Sequence, residues 1–260
     1  MAYDKIVDST ALDTALTYTA DRIRVKTGDT AQIAWDNDKG FGDAVDAISG
    51  DYSVEDGLIT RTISGEYVND RISAIADRVF TNTKLTSISC QNVTTIGVRA
   101  FEGSRLQTFN FPSVTSIKDY ALCNTPLSSI MPSQFPNLQS VGNSCFELSK
   151  ISNIEFPEGF TTLSYRAFYT CTSLAKVVLP TTVTTIGTQA FNFKGYGPTN
   201  PTVAVVIKSE TPPTAQGDLG IGENTTIYVP DESVNAYKAA TNWASCADRI
   251  RGLSELEAST

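Results

Sequence analysis

The residues that could do chemistry in this 260-residue chain are five cysteines and 28 carboxylates, and there is no histidine among them. Without an imidazole, Ser-His-Asp and Cys-His catalysis and most catalytic zinc sites are excluded. The cysteines are odd in number and widely spaced, which reads as reduced thiols rather than a disulfide framework. The stretch DNDKG at 36–40 begins like a calcium loop. The glutamate required at the twelfth position is replaced by Ala47, and the fifth position is Gly40. A glycosidase needs two acids across a cleft, but Glu102, Asp119, Glu147, Glu155 and Glu158 read as scattered, with none at a repeat position. Phosphate-binding glycine loops are missing. The expectation is no enzyme, no cofactor and no metal site.

Composition narrows the partners. The formal net charge is -8 and the isoelectric point is near 4.6. Nucleic acid and anionic membranes need clustered Lys and Arg, and no cluster of that kind is present. No run approaches the 18 apolar residues of a membrane span. The opening MAYDKIVDSTALDTAL lacks the basic start, apolar core and cleavage site of a secretory signal. The resulting expectation is a chain made and left in the cytosol.

The elements that must position any site are written in a repeat. VTTIGVRAF at 93–101 returns almost unchanged as VTTIGTQAF at 183–191. Between and before them lie ISAIADRVF, VTSIKDYAL, LQSVGNSCF and TTLSYRAF. Their closing anchors are Phe80, Phe101, Leu122, Phe146, Phe168 and Phe191. A period in the twenties is that of a leucine-rich-repeat solenoid. Each copy has an earlier half: LTSISC, LQTFNFP, LSSIMP, ISNIEFP and LAKVVLP. Apolar residues there fall at i, i+3 and usually i+5, often followed by proline. This predicts a short strand whose ladder the proline ends. Ala100, Ala121, Ala167 and Ala190 let neighbouring coils approach, and the residue after each fills the core. One unit cannot bury its apolar side, but a stack can. Cys90 and Cys145 fall on core positions of this pattern, and Cys123 and Cys171 follow soon after anchors, so the thiols read as packing.

These repeats resemble the BspA-type leucine-rich repeats of bacterial surface and host-interaction proteins, over roughly residues 58–230. The resemblance implies a binding scaffold of the α+β solenoid class, mainly β with short helices. The expected form is a solenoid of five to six coils over 51–224, with a helical N-terminal module at 1–50 and a C-terminal strand and helix cap at 225–260. Members of that family are typically secreted, and the absent signal departs from this.

The first fifty residues lack the repeat. Leu12, Ala15, Leu16, Thr19 and Ile23 follow near-helical spacing, with Ser9 or Thr10 as cap and Gly28 as stop. Phe41, Val45 and Ile48 suggest a second short helix. The stretch TADRIRVKTGDTAQIAWDNDKGFGDAVDAI resembles a small N-terminal module of tail-associated structural proteins of phages and prophages. That resemblance implies attachment to other virion tail proteins, or homo-oligomerisation, a trimer above all. A plain cap over the open end of the solenoid is the other reading. EDGLITRTISGEY reads as paired strands. VAVVIKS and TTIYVP read as strands, followed by a helix over DESVNAYKAATNW with Asp231 as N-cap and Val234 and Tyr237 on one face.

Two surfaces could bind. The residue between the i+3 and i+5 core positions makes an outward row of Ser89, Asn110, Met131, Glu155 and Val178. It is flanked by Ser87, Thr108, Ser129, Asn153 and Lys176. The row could bind protein or glycan but lacks an aromatic platform for sugar stacking, and a merely solvated Ser/Thr-rich face is the favoured reading. The longest insertion, NFKGYGPTNP, carries Phe193 and Tyr196, either as a recognition loop or folded back onto the last coil. The resemblances imply a virion component, assembled in the host cytoplasm, that recognises a protein or glycan on a bacterial surface. The alternative is a bacterial cell-surface adhesin.

Overall fold

The computed structural model describes residues 65–195 and 201–258, and before them the backbone of short strands only. Asp4–Val7, Ile23–Lys26 and Gln32–Trp35 form a three-stranded antiparallel sheet with Ile23–Lys26 central. The helix expected to run to Gly28 therefore does not reach it. Ile23, Arg24, Val25 and Lys26 alternate apolar and polar with period two, and this short-range pattern wins over the weaker 3.6-residue spacing. The second expected helix, residues 41–48, lies outside the described residues. Ser53–Glu55 and Leu58–Thr60 pair as an antiparallel hairpin.

From Ser64 onward the chain winds as a parallel solenoid. One face stacks Ser64–Val68, Lys84–Ser89 and Thr108–Asn110, then Ser129–Ile130, Asn153–Glu155, Lys176–Leu179, Val203–Ile207, Thr225–Val229 and Ile250–Gly252. A second face stacks seven two-residue strands, from Ala74–Ile75 to Thr214–Ala215. The fold class is as expected, with more coils than the five to six read from the anchors. The extra second-face coil ends in buried Leu219 instead of Ala-Phe, and Phe191 donates its N–H to Leu219 O.

A third ladder closes each coil. The N–H groups of Arg99, Phe101 and Gly103 donate to the carbonyls of Asp119, Ala121 and Cys123 in the next coil. Tyr120, Leu122 and Asn124 do the same to Asn143, Cys145 and Glu147. To aim these groups along the stack, Arg78, Arg99, Tyr120, Ser144, Arg166 and Gln189 all take left-handed backbone, with φ between 51° and 58°. That conformation costs an ordinary residue roughly 1–2 kcal/mol, and the inter-coil hydrogen bonds offset it.

The core lies between the ladders. Phe80 stacks on Phe101 and Phe146 on Phe168, each pair with ring centroids 5.3 Å apart. Where the anchor is Leu122, rings from the other side, Phe109, Phe135 and Phe156, run through the core at 5.8 and 6.5 Å. The C-terminal end is closed by the helix Val234–Ala239. Tyr237 and Trp243 meet edge to face at 5.1 Å, and Trp243 Nε1 donates to Pro213 O at 2.9 Å. Asp231 is not the cap of that helix. It opens the preceding 3-10 turn and accepts instead from the Ser254 hydroxyl at 2.7 Å.

Candidate binding surfaces

The outward row expected from the repeat is assembled by the strand register. Ser89 pairs with Asn110, and Glu155 with Val178. The flanking pairs are Ser87 with Thr108, Ser129 with Asn153, and Asn153 with Lys176. Period-two alternation buries Ile88, Phe109, Ile130, Ile154 and Val177 beneath them. Thr108, Ser129, Asn153 and Lys176 are exposed, while Ser87, Ser89, Asn110 and Glu155 are half-buried. Met131 is 48% exposed.

Val178 is a correction to the row. It is only 8% exposed. Lys208 Nζ reaches Glu155 Oε1 at 3.0 Å, a bridge that spans the coil carrying Val178.

The row also breaks. Between Thr108–Asn110 and Ser129–Ile130 the face has no strand pairing. Phe111 N–H turns to Gln134 O at 2.8 Å, and Gln134 Nε2 donates to Phe109 O at 3.1 Å. Gln134 Oε1 accepts the Met131 N–H at 2.7 Å. This glutamine occupies the place of a ladder bond, in the coil with the longest spacing between its anchors. Beside the break the flat face opens into a pocket of ≈ 320 Å³ lined by Pro132, Pro136, Glu155, Pro157, Glu158 and Lys208.

The insertion is the second correction. Phe193 is 1% exposed and packs against Phe168 and Phe191 at centroid distances of 6.3 and 6.0 Å. It folds back onto the last coils and extends their phenylalanine column. Tyr196 lies outside the described residues.

Sequence reading missed the turn flank. Glu102 and Glu147 each follow a Phe anchor and so share one coil position, contrary to the scattered reading. Asp77 and Asp119 share another, accepting the N–H of Val98 and Asn143 at 2.7 Å in the next coil. On the same flank Arg99 pairs with Glu102 at 2.6 Å and lies over the Tyr120 ring at 4.4 Å. The Glu102 hydrogen bond holds the Arg99 pKa above its usual value. Arg166 lies over Tyr165 at 4.9 Å and Tyr169 at 4.5 Å. The signal was the Arg two residues before three of the six anchors, in RVF, RAF and RAF.

All five thiols are free and buried. Burial pushes Cys90 up to about 11 and Cys123 and Cys171 up to about 12, and it also raises Cys145 and Cys246. A thiol so poised is a poor nucleophile at neutral pH. Among the described residues no group of His, Cys, Asp or Glu could hold a metal ion, and no helix is long and apolar enough to cross a membrane.

No curated protein matches the chain. A leucine-rich repeat protein from Eubacterium ventriosum is similar at 19% identity and a TM-score of 0.43, covering 66% of this chain and 57% of that one. One from Bacteroides ovatus is similar at 18% identity and 0.36, covering 71% and 70%. A leucine rich cell surface protein from Faecalibacterium prausnitzii is similar at 16% identity and 0.26, covering 99% and 97%. Residues 73–195 match the BspA type leucine rich repeat region in six copies, and the matched residues are coils whose ladders and phenylalanine columns are described above.

Proposed function

We propose that the chain is a non-catalytic binding protein that works at a bacterial surface and engages a host protein or glycan through the strand face of its solenoid. The observation that supports this most is the broken row. Coils in strict register present small polar side chains, and at the one strand-face break seen among the described residues Met131 stands out beside the pocket at Glu155 and Lys208. Repeat scaffolds bind with such extended faces, and a departure from regularity marks where shape is specific. Met131→Asp and Glu155→Lys alter this face without touching the core. Each is expected to weaken binding at least tenfold in a glycan-array and surface-protein panel, with melting unchanged. Wild-type affinity in both variants would move the site elsewhere.

A second reading is a phage tail or baseplate component that docks to the particle through residues 1–50 and recognises a bacterial surface. The stretch TADRIRVKTGDTAQIAWDNDKGFGDAVDAI supports it, and trimeric assembly would add avidity. Mass spectrometry of purified particles from an induced lysogen, beside the washed cell-surface fraction, separates the two readings. The first expects the protein in the surface fraction. Stoichiometric presence in particles would replace it with the second.

A further inference from the structure

We propose that the turn flank around Arg166 is a second interaction surface, one that accepts a carboxylate side chain of a partner protein set in apolar surroundings. Arg99 and Arg166 occupy the same left-handed position in two different coils. In the earlier coil Arg99 is matched by Glu102 three residues on, at 2.6 Å. In the later coil the equivalent residue is Tyr169, which is buried. Arg166 has no carboxylate within salt-bridge distance among the described residues.

Arg166 is nevertheless held in place. Its guanidinium lies over Tyr165 and Tyr169, and its Nε donates to Gln189 Oε1 at 2.9 Å. Its backbone is fixed by the hydrogen bond from Arg166 N–H to Thr188 O at 3.1 Å. Nε is therefore engaged, while no described carboxylate meets the two terminal amino groups. A guanidinium clamped on rings has already lost most of the side-chain freedom that binding would remove, and its planar fork matches a carboxylate in two parallel hydrogen bonds.

The surroundings select a protein over a free anion. Tyr165 is 40% exposed, and Leu148, one coil earlier, is 44% exposed. They are joined through the same ladder: Ser144 N–H donates to Tyr165 O and Leu148 N–H to Tyr169 O. Leu148 and Tyr165 are two of the four large apolar side chains that stand out among the described residues. Arginine and tyrosine beside an apolar contact is the composition of an interface hot spot. A phosphate or an acidic sugar would use Arg166 and gain nothing from Leu148.

The test uses the full chain and two synthetic peptides, acetyl-Leu-Glu-Leu-amide and its neutral twin acetyl-Leu-Gln-Leu-amide. Binding is followed through the Arg166 Nε–H resonance and by chemical shifts of the adjoining coils. Saturable binding of the acidic peptide is expected, at least tenfold tighter than the neutral one. Arg166→Ala and Arg166→Lys are each expected to weaken it about tenfold, since lysine keeps the charge but loses the fork. Leu148→Ser lies on an exposed position and is expected to weaken it severalfold with melting unchanged. No saturable shift with the acidic peptide, or equal binding by Arg166→Lys, overturns the proposal. Inorganic phosphate binding as tightly as the peptide, with Leu148→Ser neutral, overturns the assignment to a protein partner. Because the strand face is not involved, Met131→Asp leaves this binding unchanged, so either surface can fail without the other.

Discussion

Gly97 sits where two coils approach closely. A Cβ there would lie 2.6 Å from the backbone nitrogen of Asp77 in the preceding coil. The equivalent positions in neighbouring coils are Ala76, Lys118 and Ser164, so the position does not demand glycine by itself. Glycine returns at 142 and 187, where the backbone of Asp119 and Tyr165 in the preceding coil crowds the site as that of Asp77 does here. Gly97→Ala is expected to lower stability by about 2 kcal/mol, the usual cost of overpacking, read as a lower urea midpoint at constant slope. The thiols belong to the same scale. Folded-state pKa values of about 11 for Cys90 and about 12 for Cys123 and Cys171 exceed the unfolded value of 9.0. The stability held by neutral buried thiols is therefore full below pH 9 and is lost as pH rises toward 11–12, because only the unfolded chain ionises easily in that window. Unfolding midpoints should fall from pH 9 to 11, and Cys145→Ala should flatten part of that fall. At pH 8 the folded chain should resist alkylation, and urea should expose all five thiols together.

The strands are too short to be stable alone. Those of the second face have two residues each, and their stability comes from the stack. The element most exposed to failure is the terminal cap, whose helix Val234–Ala239 has six residues and depends on tertiary contacts. Trp243 is fully buried there against Tyr237 and hydrogen-bonded to Pro213. Trp243→Ala is expected to cost roughly 3–5 kcal/mol. In hydrogen exchange, protection should drop first in the strands Thr225–Val229 and Val203–Ile207 and last near Phe146. Uniform loss across the stack would show that the coils unfold as one unit rather than from the end.

From Ser64 onward the described chain is a stack of parallel coils. Core alternation is legible in the sequence because Leu, Ile and Phe recur at i, i+3 and i+5, and register then follows from burying that face. The same alternation points Ser89, Asn110, Met131 and Glu155 outward. Val178 departs from it in being buried, between the coils that carry Glu155 and Lys208, whose ion pair links residues 53 positions apart and has no local signature. Phe193 departs from the recognition-loop reading because an aromatic among Gly and Pro has the same local pattern whether it faces solvent or the last coil. The cap helix is legible, yet Asp231 bonds to Ser254 because a local capping pattern says nothing about residues 23 positions away.

By itself, the sequence determined the solenoid, its mainly β class, the packing role of the thiols and the outward polarity of the strand face. All of these follow from short-range periodicity, which a single chain displays in one dimension. Only the tertiary structure decided the break at Gln134 and the pocket beside it, the left-handed column with its third ladder of hydrogen bonds, and the difference between Arg99 and Arg166. Each of these depends on what the adjacent coil places within a few ångströms, and residues 20 or more positions apart leave no mark on one another's local pattern.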